Sequence, residues 1–225
     1  MHKIATLVAA LSLTVSPAFA QAEADPARLR ADVEKLVSFG TRHTLSSPDH
    51  PTRGIGAARR WAAAEFAKIG KACGGCIRVE QIDRRFTGPR APNGVNVVNV
   101  LGVQPGTGNP DDIIIISAHI DSRVSDVADF TSDAPGANDD GSGSALVLEA
   151  ARILSKEKFT PTIIYALLSG EEQGLWGGRL IAETARARLA GPCAAQQRYR
   201  RQHRRPGRPQ GCRPRAGLLR RYPRL

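Results

Sequence analysis

The sequence lacks features that would each point to a particular class of protein. Beyond its N-terminus, no segment of the 225 residues is long and apolar enough to cross a bilayer, which excludes a protein with several membrane spans. No internal repeat is visible, and a repeat architecture is therefore excluded. Without its first 20 residues the chain would keep about 205, enough for one domain with a substantial core.

Cysteine is scarce, with four residues in the whole chain. Cys73 and Cys76 flank two glycines, and in an exported chain this spacing favours a short structural disulfide. A redox pair and half of a structural zinc site are the alternatives. The motif follows a predicted helix end, which is not the strand-turn-helix setting of thioredoxin chemistry. Cys193 and Cys212 lie in a basic segment that is itself anomalous.

The first 20 residues are typical of a secretory signal peptide. His2 and Lys3 precede an apolar stretch at 4–15, and AFA at 18–20 fits a small-residue cleavage site. The apolar stretch is too short for a permanent membrane span, although a short N-terminal anchor is the alternative. We therefore predict export to the periplasm or the medium, with the mature chain beginning near Gln21.

Acidic residues are absent from 189–225, which contains 11 arginines. The whole chain has 32 basic and 21 acidic residues, so without those arginines 21 basic residues balance 21 acidic ones. A nucleic-acid- or lipid-binding arm, a disordered extension and translation in a shifted reading frame could each explain the segment. We favour the shifted frame, because the genetic code permits an alternative for 189–201 that continues a helix into an apolar strand. We predict an aberrant, disordered tail.

Apolar periodicity over 21–188 predicts an α/β domain. The predicted helices and strands are, in turn, 26–39, 54–69, 142–154 and 175–188, and 77–86, 94–102, 113–116 and 162–168. Asp25 is the expected N-cap of the first helix, and Gly40 and Gly70 are expected to end the first two. The apolar runs at 94–102 and 113–116 lack alternation and suit inner strands covered on both faces. The pattern indicates a mostly parallel, twisted sheet flanked by helices on both faces.

Three polar segments follow predicted strands or open a predicted helix. They are 118–122 (AHIDS), 134–143 (APGANDDGSG) and 169–174 (SGEEQG). Each has a commoner structural explanation when it stands alone: a hydrogen-bonded histidine, a turn, and a solvated glutamate pair. Ligand-binding groups gather beyond the carboxyl ends of strands in α/β sheets, so we expect the three segments to meet.

The residue types in these segments suit a hydrolytic metal site. Such a site holds its ion with imidazole and carboxylate groups and leaves a position open for water, and a two-metal site needs a bridging carboxylate. His119 is a candidate ligand that Asp121 can orient. Either Asp139 or the next residue, Asp140, can approach the metals from the glycine-rich turn.

The two adjacent glutamates, Glu171 and Glu172, are expected to project in different directions at a strand end. One can therefore bind metal while the other takes a proton from the attacking water as general base. The residues alone do not decide which glutamate has which role.

Taken together, these segments resemble the co-catalytic zinc aminopeptidases of metallopeptidase family twenty-eight, which include the bacterial leucyl aminopeptidases. The resemblance covers roughly 39–188 and extends to 40–44 (GTRHT) and 96–98 (NVV). It implies a phosphorylase/hydrolase-like zinc exopeptidase fold, incomplete at the C-terminus, with 21–188 as part of the catalytic domain. It also implies two zinc ions per site and hydrolysis of N-terminal residues from peptides by metal-activated water.

The resemblance assigns a role to each site residue. His119 and Glu172 are implied as ligands of different zinc ions, and Asp139 as the carboxylate that bridges them. Asp121 is implied to position His119, and Glu171 to act as the general base.

The sequence departs from the family pattern in its last part. The family has a further Asp ligand about 26 residues beyond Glu172 and a more distant His ligand. Arg198 occupies the first of these positions, where the shifted frame permits Asp. His203 is the only His after His119, and it stands too early to be the distal ligand. With three of five ligands, we expect this chain to have little or no activity.

Other functions on the same scaffold stay open. They are a carboxypeptidase, a glutaminyl-cyclase-like acyl transferase, a non-catalytic remnant, and a nucleic-acid or membrane-surface binder acting through the basic tail. For the preferred function we expect a peptide substrate, no nucleic-acid partner, no membrane span and a monomer.

Overall fold

The structure, a computed structural model, describes residues 23–186. The predicted signal peptide at 1–20 and the predicted tail at 189–225 lie outside the described residues. Arg198, His203 and the two C-terminal cysteines lie outside them as well. The predictions made for these parts of the chain stay predictions.

Four strands form one mixed sheet. β1 spans Arg78–Gly88, β2 Ala91–Gln104, β3 Ile113–His119 and β4 Thr162–Leu168. Their order across the sheet is β1-β2-β4-β3. β2 is antiparallel to both β1 and β4, whereas β3 and β4 are parallel and in register from Ile113 opposite Thr162 to His119 opposite Leu168.

Helices cover both faces of this sheet. α1 spans Pro26–Val37, α2 Gly54–Ala72 and α3 Gly143–Leu154, and α4 occupies 176–186. Because alternate residues of a strand point to opposite faces, Tyr165 and Leu167 of β4 pack against α1, α2 and α3. Ile164 and Ala166 pack on the other face against Ile181 of α4.

The predicted α/β class, with helices on both faces, is confirmed, but the strand directions differ from the mostly parallel sheet that we predicted. Two of the three pairings among the described strands are antiparallel. Only Pro89 and Arg90 connect β1 to β2, and so short a connection forms a hairpin, whereas parallel neighbours need a crossover.

The expectation that 113–116 forms an inner strand is wrong for the part of the chain that the structure describes. β3 is an edge strand there, and Ile114 and Ile115 are 50% and 39% exposed. A purely apolar run does not reveal whether a strand has one neighbour or two, because that depends on strand order.

The start of α1 agrees with the prediction, whereas the end of α2 does not. Asp25 caps α1 as predicted, and its side chain accepts hydrogen bonds from the backbone N–H groups of Ala27 and Arg28. Gly70 does not end α2, which continues to Ala72. A Cβ at Gly70 would lie 2.4 Å from the carbonyl oxygen of Ile77, so this glycine permits a close approach of two backbone segments.

Two further expectations, a disulfide and the absence of a membrane span, can be compared with the described residues. Cys73 and Cys76 form the predicted disulfide directly after α2. Among residues 23–186 there is no helix with the length and apolar character needed to span a bilayer.

Candidate metal centre

The polar segments after β3 and β4 meet at the carboxyl ends of these two parallel strands. His119 is the last residue of β3, and Glu171 and Glu172 follow the end of β4. One ligand atom from each of the three side chains lies within 4.8 Å of the others. Imidazole nitrogen and carboxylate oxygen are donors that zinc prefers, so this donor set fits the metal that the sequence predicts.

Acidic groups surround the imidazole of His119. Its Nδ1 lies 3.1 Å from the carbonyl oxygen of Asp121 and 3.6 Å from Oδ1 of the same residue, while Nε2 lies 3.0 Å from Oδ1 of Asp139. Burial lowers the pKa of His119, but the hydrogen bonds and charge of Asp121 outweigh it and raise this pKa to about 9. The surroundings therefore favour a positive charge at the imidazole.

Asp121 links the two strand ends. Its fully buried carboxylate accepts a hydrogen bond from Thr44 Oγ1 at 2.8 Å and from the backbone N–H groups of Glu171 and Glu172 at 3.3 Å each. Thr44 Oγ1 in turn accepts a hydrogen bond from the backbone N–H of Gly170. One carboxylate thus fixes the segment after β4 relative to the segment after β3.

Asp139 and Asp140 lie in the turn Ala137–Ser142 that leads into α3; their backbone dihedrals are not helical, and a cis peptide bond joins them. Asp140 faces the fold: its carboxylate accepts hydrogen bonds from the backbone N–H groups of His119 at 3.1 Å and Gly143 at 2.9 Å. Asp139 is exposed and faces the His119 ring. The geometry therefore distinguishes the two aspartates, which the residue types alone left open, and Asp139 is the one near the metal donors.

The two glutamates have different surroundings. Burial raises the pKa of Glu171, and the neighbouring negative charges of Asp121, Glu172 and Asp139 add to this effect, while His119 opposes it. Glu172 is only 9% exposed at its side chain, and its Oε2 accepts a hydrogen bond from Arg123 Nε at 2.6 Å. The adjacent carboxylates thus differ in burial and in hydrogen-bond partner.

Arg42 is a structural anchor that the sequence analysis did not assign. Within the described residues, its fully buried guanidinium donates to backbone carbonyl oxygens: Nε to Ile120, Nη1 to Leu36 and Pro135, and Nη2 to Gly136, at 2.7 to 3.0 Å. Burial lowers the pKa of Arg42 to about 10. The residue therefore holds the end of α1, the segment after β3 and the segment before the Asn-Asp-Asp turn in one arrangement.

Thr44 and Arg123 were also missed. Arg42 and Thr44 both lie in the segment 40–44 that contributed to the family resemblance, but no pattern within it indicates what the side chains contact. Arg123 directly follows AHIDS, and nothing in its sequence context distinguishes it from a solvated surface arginine.

Side chains able to hold a metal ion, beyond the ends of parallel strands on a sheet covered by helices, are typical of a metallohydrolase. The chain carries a domain of peptidase family M28, whose family model matches residues 99–194. A Pyricularia oryzae protein named "Probable zinc metalloprotease" is 46% identical over 170 residues, which are 73% of this chain and 33% of that protein. The chain spans about a third of the length of such curated relatives.

Solved structures share the fold. An aminopeptidase from Aneurinibacillus sp. strain AM-1 has a TM-score of 0.54 at 15% identity, over 72% of this chain and 66% of that one. A glutaminyl cyclase from Fimbriiglobus ruber has a TM-score of 0.54 at 19% identity, over 69% of this chain and 48% of that one. At these identities the likeness concerns the fold.

Proposed function

We propose that this chain is part of an exported, zinc-dependent aminopeptidase that removes N-terminal residues from peptides. The observation that carries the proposal is the cluster of His119, Glu171 and Glu172 donors within 4.8 Å, in a segment that matches a metallopeptidase family. Two zinc ions per site, a peptide substrate and a monomeric state belong to the same proposal.

In this proposal, His119, Asp139 and Glu172 hold zinc. When bound, zinc supplies Lewis acidity that polarises a carbonyl group and acidifies a water molecule. Asp121 keeps the His119 ring in position.

Glu171 takes the proton of the attacking water and delivers it to the leaving amine. The raised pKa of its carboxyl group supports this role, because a base with a pKa nearer the working pH can both accept and return a proton.

We further propose that the 225-residue chain hydrolyses peptides poorly, if at all. The family resemblance implies two further ligands, and Arg198 occupies the position of one of them. A positive charge there would repel zinc instead of binding it. Sequencing the gene across codons 185 to 200 tests whether a shifted frame placed this arginine there.

The direct experiment uses the purified full chain. Zinc content is measured after dialysis, hydrolysis of leucine-p-nitroanilide is followed by absorbance, and Glu171→Gln serves as the control for base catalysis. We expect at most weak turnover, lost in Glu171→Gln while the bound zinc is retained. Two tightly bound zinc ions with robust turnover would contradict the proposed inactivity, and failure to bind any zinc would contradict the metallopeptidase proposal.

Glutaminyl cyclisation is the second candidate, because a glutaminyl cyclase shares the fold with a TM-score of 0.54. Both reactions use a metal-polarised carbonyl, but cyclisation releases ammonia from an N-terminal glutamine and leaves the peptide chain uncut. Incubating the chain with a glutamine-initiated peptide and measuring its mass separates the two. A loss of ammonia favours the cyclase, and a loss of the first residue favours the aminopeptidase.

A further inference from the structure

The carboxylate of Glu172 has a strong partner in Arg123. The guanidinium Nε donates to Oε2 at 2.6 Å, and the glutamate side chain is 9% exposed while that of Arg123 is 36% exposed. A charge-assisted hydrogen bond to a carboxylate that is largely removed from water is stronger than an ordinary surface ion pair. The pair is therefore part of the candidate centre and not an incidental contact on its surface.

The position of Arg123 follows from a well-anchored backbone. The preceding Ser122 donates through Oγ to the carbonyl oxygen of Ala134 at 2.7 Å and accepts from the backbone N–H of Arg42 at 3.1 Å. Arg123 Nη1 also donates to the carbonyl oxygen of Val124. These contacts keep the guanidinium at the rim of the same centre that His119 and Glu172 line.

If Glu172 bound a zinc ion, its carboxylate would face two positive groups, the ion and the guanidinium of Arg123. Because this carboxylate is poorly solvated, water screens their repulsion weakly. We propose that Arg123 is a built-in counter-cation that competes with zinc for Glu172, and thereby sets the zinc concentration needed to fill the centre. The inference rests on the proposed zinc site and adds a residue that controls its affinity.

Arg90 provides a matched control at the same rim. Its Nη1 donates at 2.5 Å to the backbone carbonyl oxygen of Glu172 and not to the carboxylate. Removing Arg90 therefore removes one positive charge near the centre without freeing a metal-binding oxygen. The comparison separates direct competition for Oε2 from a general electrostatic effect.

The test measures the zinc dissociation constant of the full chain by competition with a fluorescent zinc indicator, at one fixed pH near neutrality. Arg123→Ala and Arg123→Gln are each expected to bind zinc about tenfold more tightly than the wild type, because a charged hydrogen bond no longer has to break. Arg90→Ala is expected to change the affinity by less than about twofold, as is typical of a charge at an exposed rim.

A second readout is the unfolding temperature in the presence of a metal chelator. Arg123→Ala is expected to lower Tm by about 2 to 4 °C, because Glu172 loses its counter-charge while it stays buried. Zinc is then expected to raise the Tm of the variant by more than it raises that of the wild type.

The outcomes separate the inference from the proposed function. If the wild type binds zinc and Arg123→Ala binds it equally or more weakly, the proposed competition is wrong, but the proposed zinc site is not affected. An equal gain in affinity in Arg90→Ala would also overturn it. If the wild type and all variants fail to bind zinc, both the inference and the proposed function fail.

Discussion

At the scale of single residues, the carboxylate of Asp121 accepts hydrogen bonds from the segment that carries both candidate glutamates and approaches the imidazole of His119. It also accepts a hydrogen bond from the hydroxyl of Thr44. A buried carboxylate with several donors is oriented by all of them at once. Its role as a positioning residue stays a prediction, and the geometry indicates how to test it.

Replacing Asp121 by Asn is expected to weaken zinc binding by about 10- to 100-fold. The amide has one acceptor oxygen in place of two, so its NH₂ group would face a backbone N–H donor of Glu171 or Glu172. The measurement is the zinc dissociation constant of the full chain. Asp111→Asn, a change at an exposed loop residue, is the control and should leave the dissociation constant unchanged. An unchanged constant in Asp121→Asn would contradict a role of Asp121 in zinc binding.

At the scale of elements, the backbone packing of α2 against the start of β1 depends on the absence of a side chain. Gly70 lies inside α2, where glycine is normally unfavourable by about 1 kcal/mol relative to alanine. The carbonyl oxygen of Ile77 occupies the space where a Cβ would stand. Helix propensity therefore favours alanine at this position, whereas packing favours glycine.

Gly70→Ala is expected to lower the free energy of unfolding by about 1 to 3 kcal/mol, because the steric cost exceeds the gain in helix propensity. Gly178, in α4, is the matched control: a Cβ there meets no atom of another described segment within 4 Å. Gly178→Ala is expected to raise the free energy of unfolding by about 0.5 to 1 kcal/mol. Urea unfolding measures both, and a stabilised Gly70→Ala would contradict the proposed close contact.

At the scale of the whole molecule, a partly buried ionic network joins α1, α2 and α3 on one face of the sheet. Arg152 of α3 contacts Asp32 of α1 at 2.5 Å and Glu65 of α2 at 3.4 Å. Glu149 of α3 accepts hydrogen bonds from Arg28 at 2.5 and 3.0 Å. The hydrogen bonds from Arg28 outweigh burial and lower the pKa of Glu149 from 4.5 to about 2. Breaking such a network at one residue leaves its partners uncompensated.

The lowered pKa of Glu149 makes stability depend on pH in the acid range. Since the carboxylate is favoured in the folded state, its stabilisation is complete above about pH 4.5 and is lost as the pH falls towards 2. Glu149→Gln is expected to lower the free energy of unfolding at neutral pH by about 1 to 3 kcal/mol and to flatten its acid dependence, since solvent screens the half-exposed Arg28. Urea unfolding at several pH values measures this.

Glu34→Gln is the control for this experiment. Glu34 is an exposed partner of Arg30 on α1, and such a pair is worth less than about 1 kcal/mol. Equal acid sensitivity in Glu149→Gln and the wild type would exclude Glu149 as the source of the pH dependence.

Several parts of the fold and of the candidate site could be predicted because their signals are local. The cap at Asp25, the bounds of β4 and the disulfide of Cys73 with Cys76 follow from residue type, periodicity and spacing. The family domain was identified from segments such as AHIDS, and the match of residues 99–194 to peptidase family M28 confirms it.

The direction of the strands and the edge position of β3 could not be predicted, because an apolar run has the same appearance in a central strand and in an edge strand. The predicted end of α2 was wrong for a related reason: a glycine can either end a helix or permit close packing within it. Each of these features depends on which distant segment becomes a neighbour.

The sequence by itself determined the α/β fold class, the family and the set of candidate metal ligands, because each depends on residue type and on short-range spacing. Only the tertiary structure decided that Asp139 faces the His119 ring while Asp140 binds the His119 backbone, that Asp121 joins the two strand ends, and that Arg123 contacts Glu172. These contacts join residues far apart in the chain, and their geometry exists only after the sheet and helices have packed together.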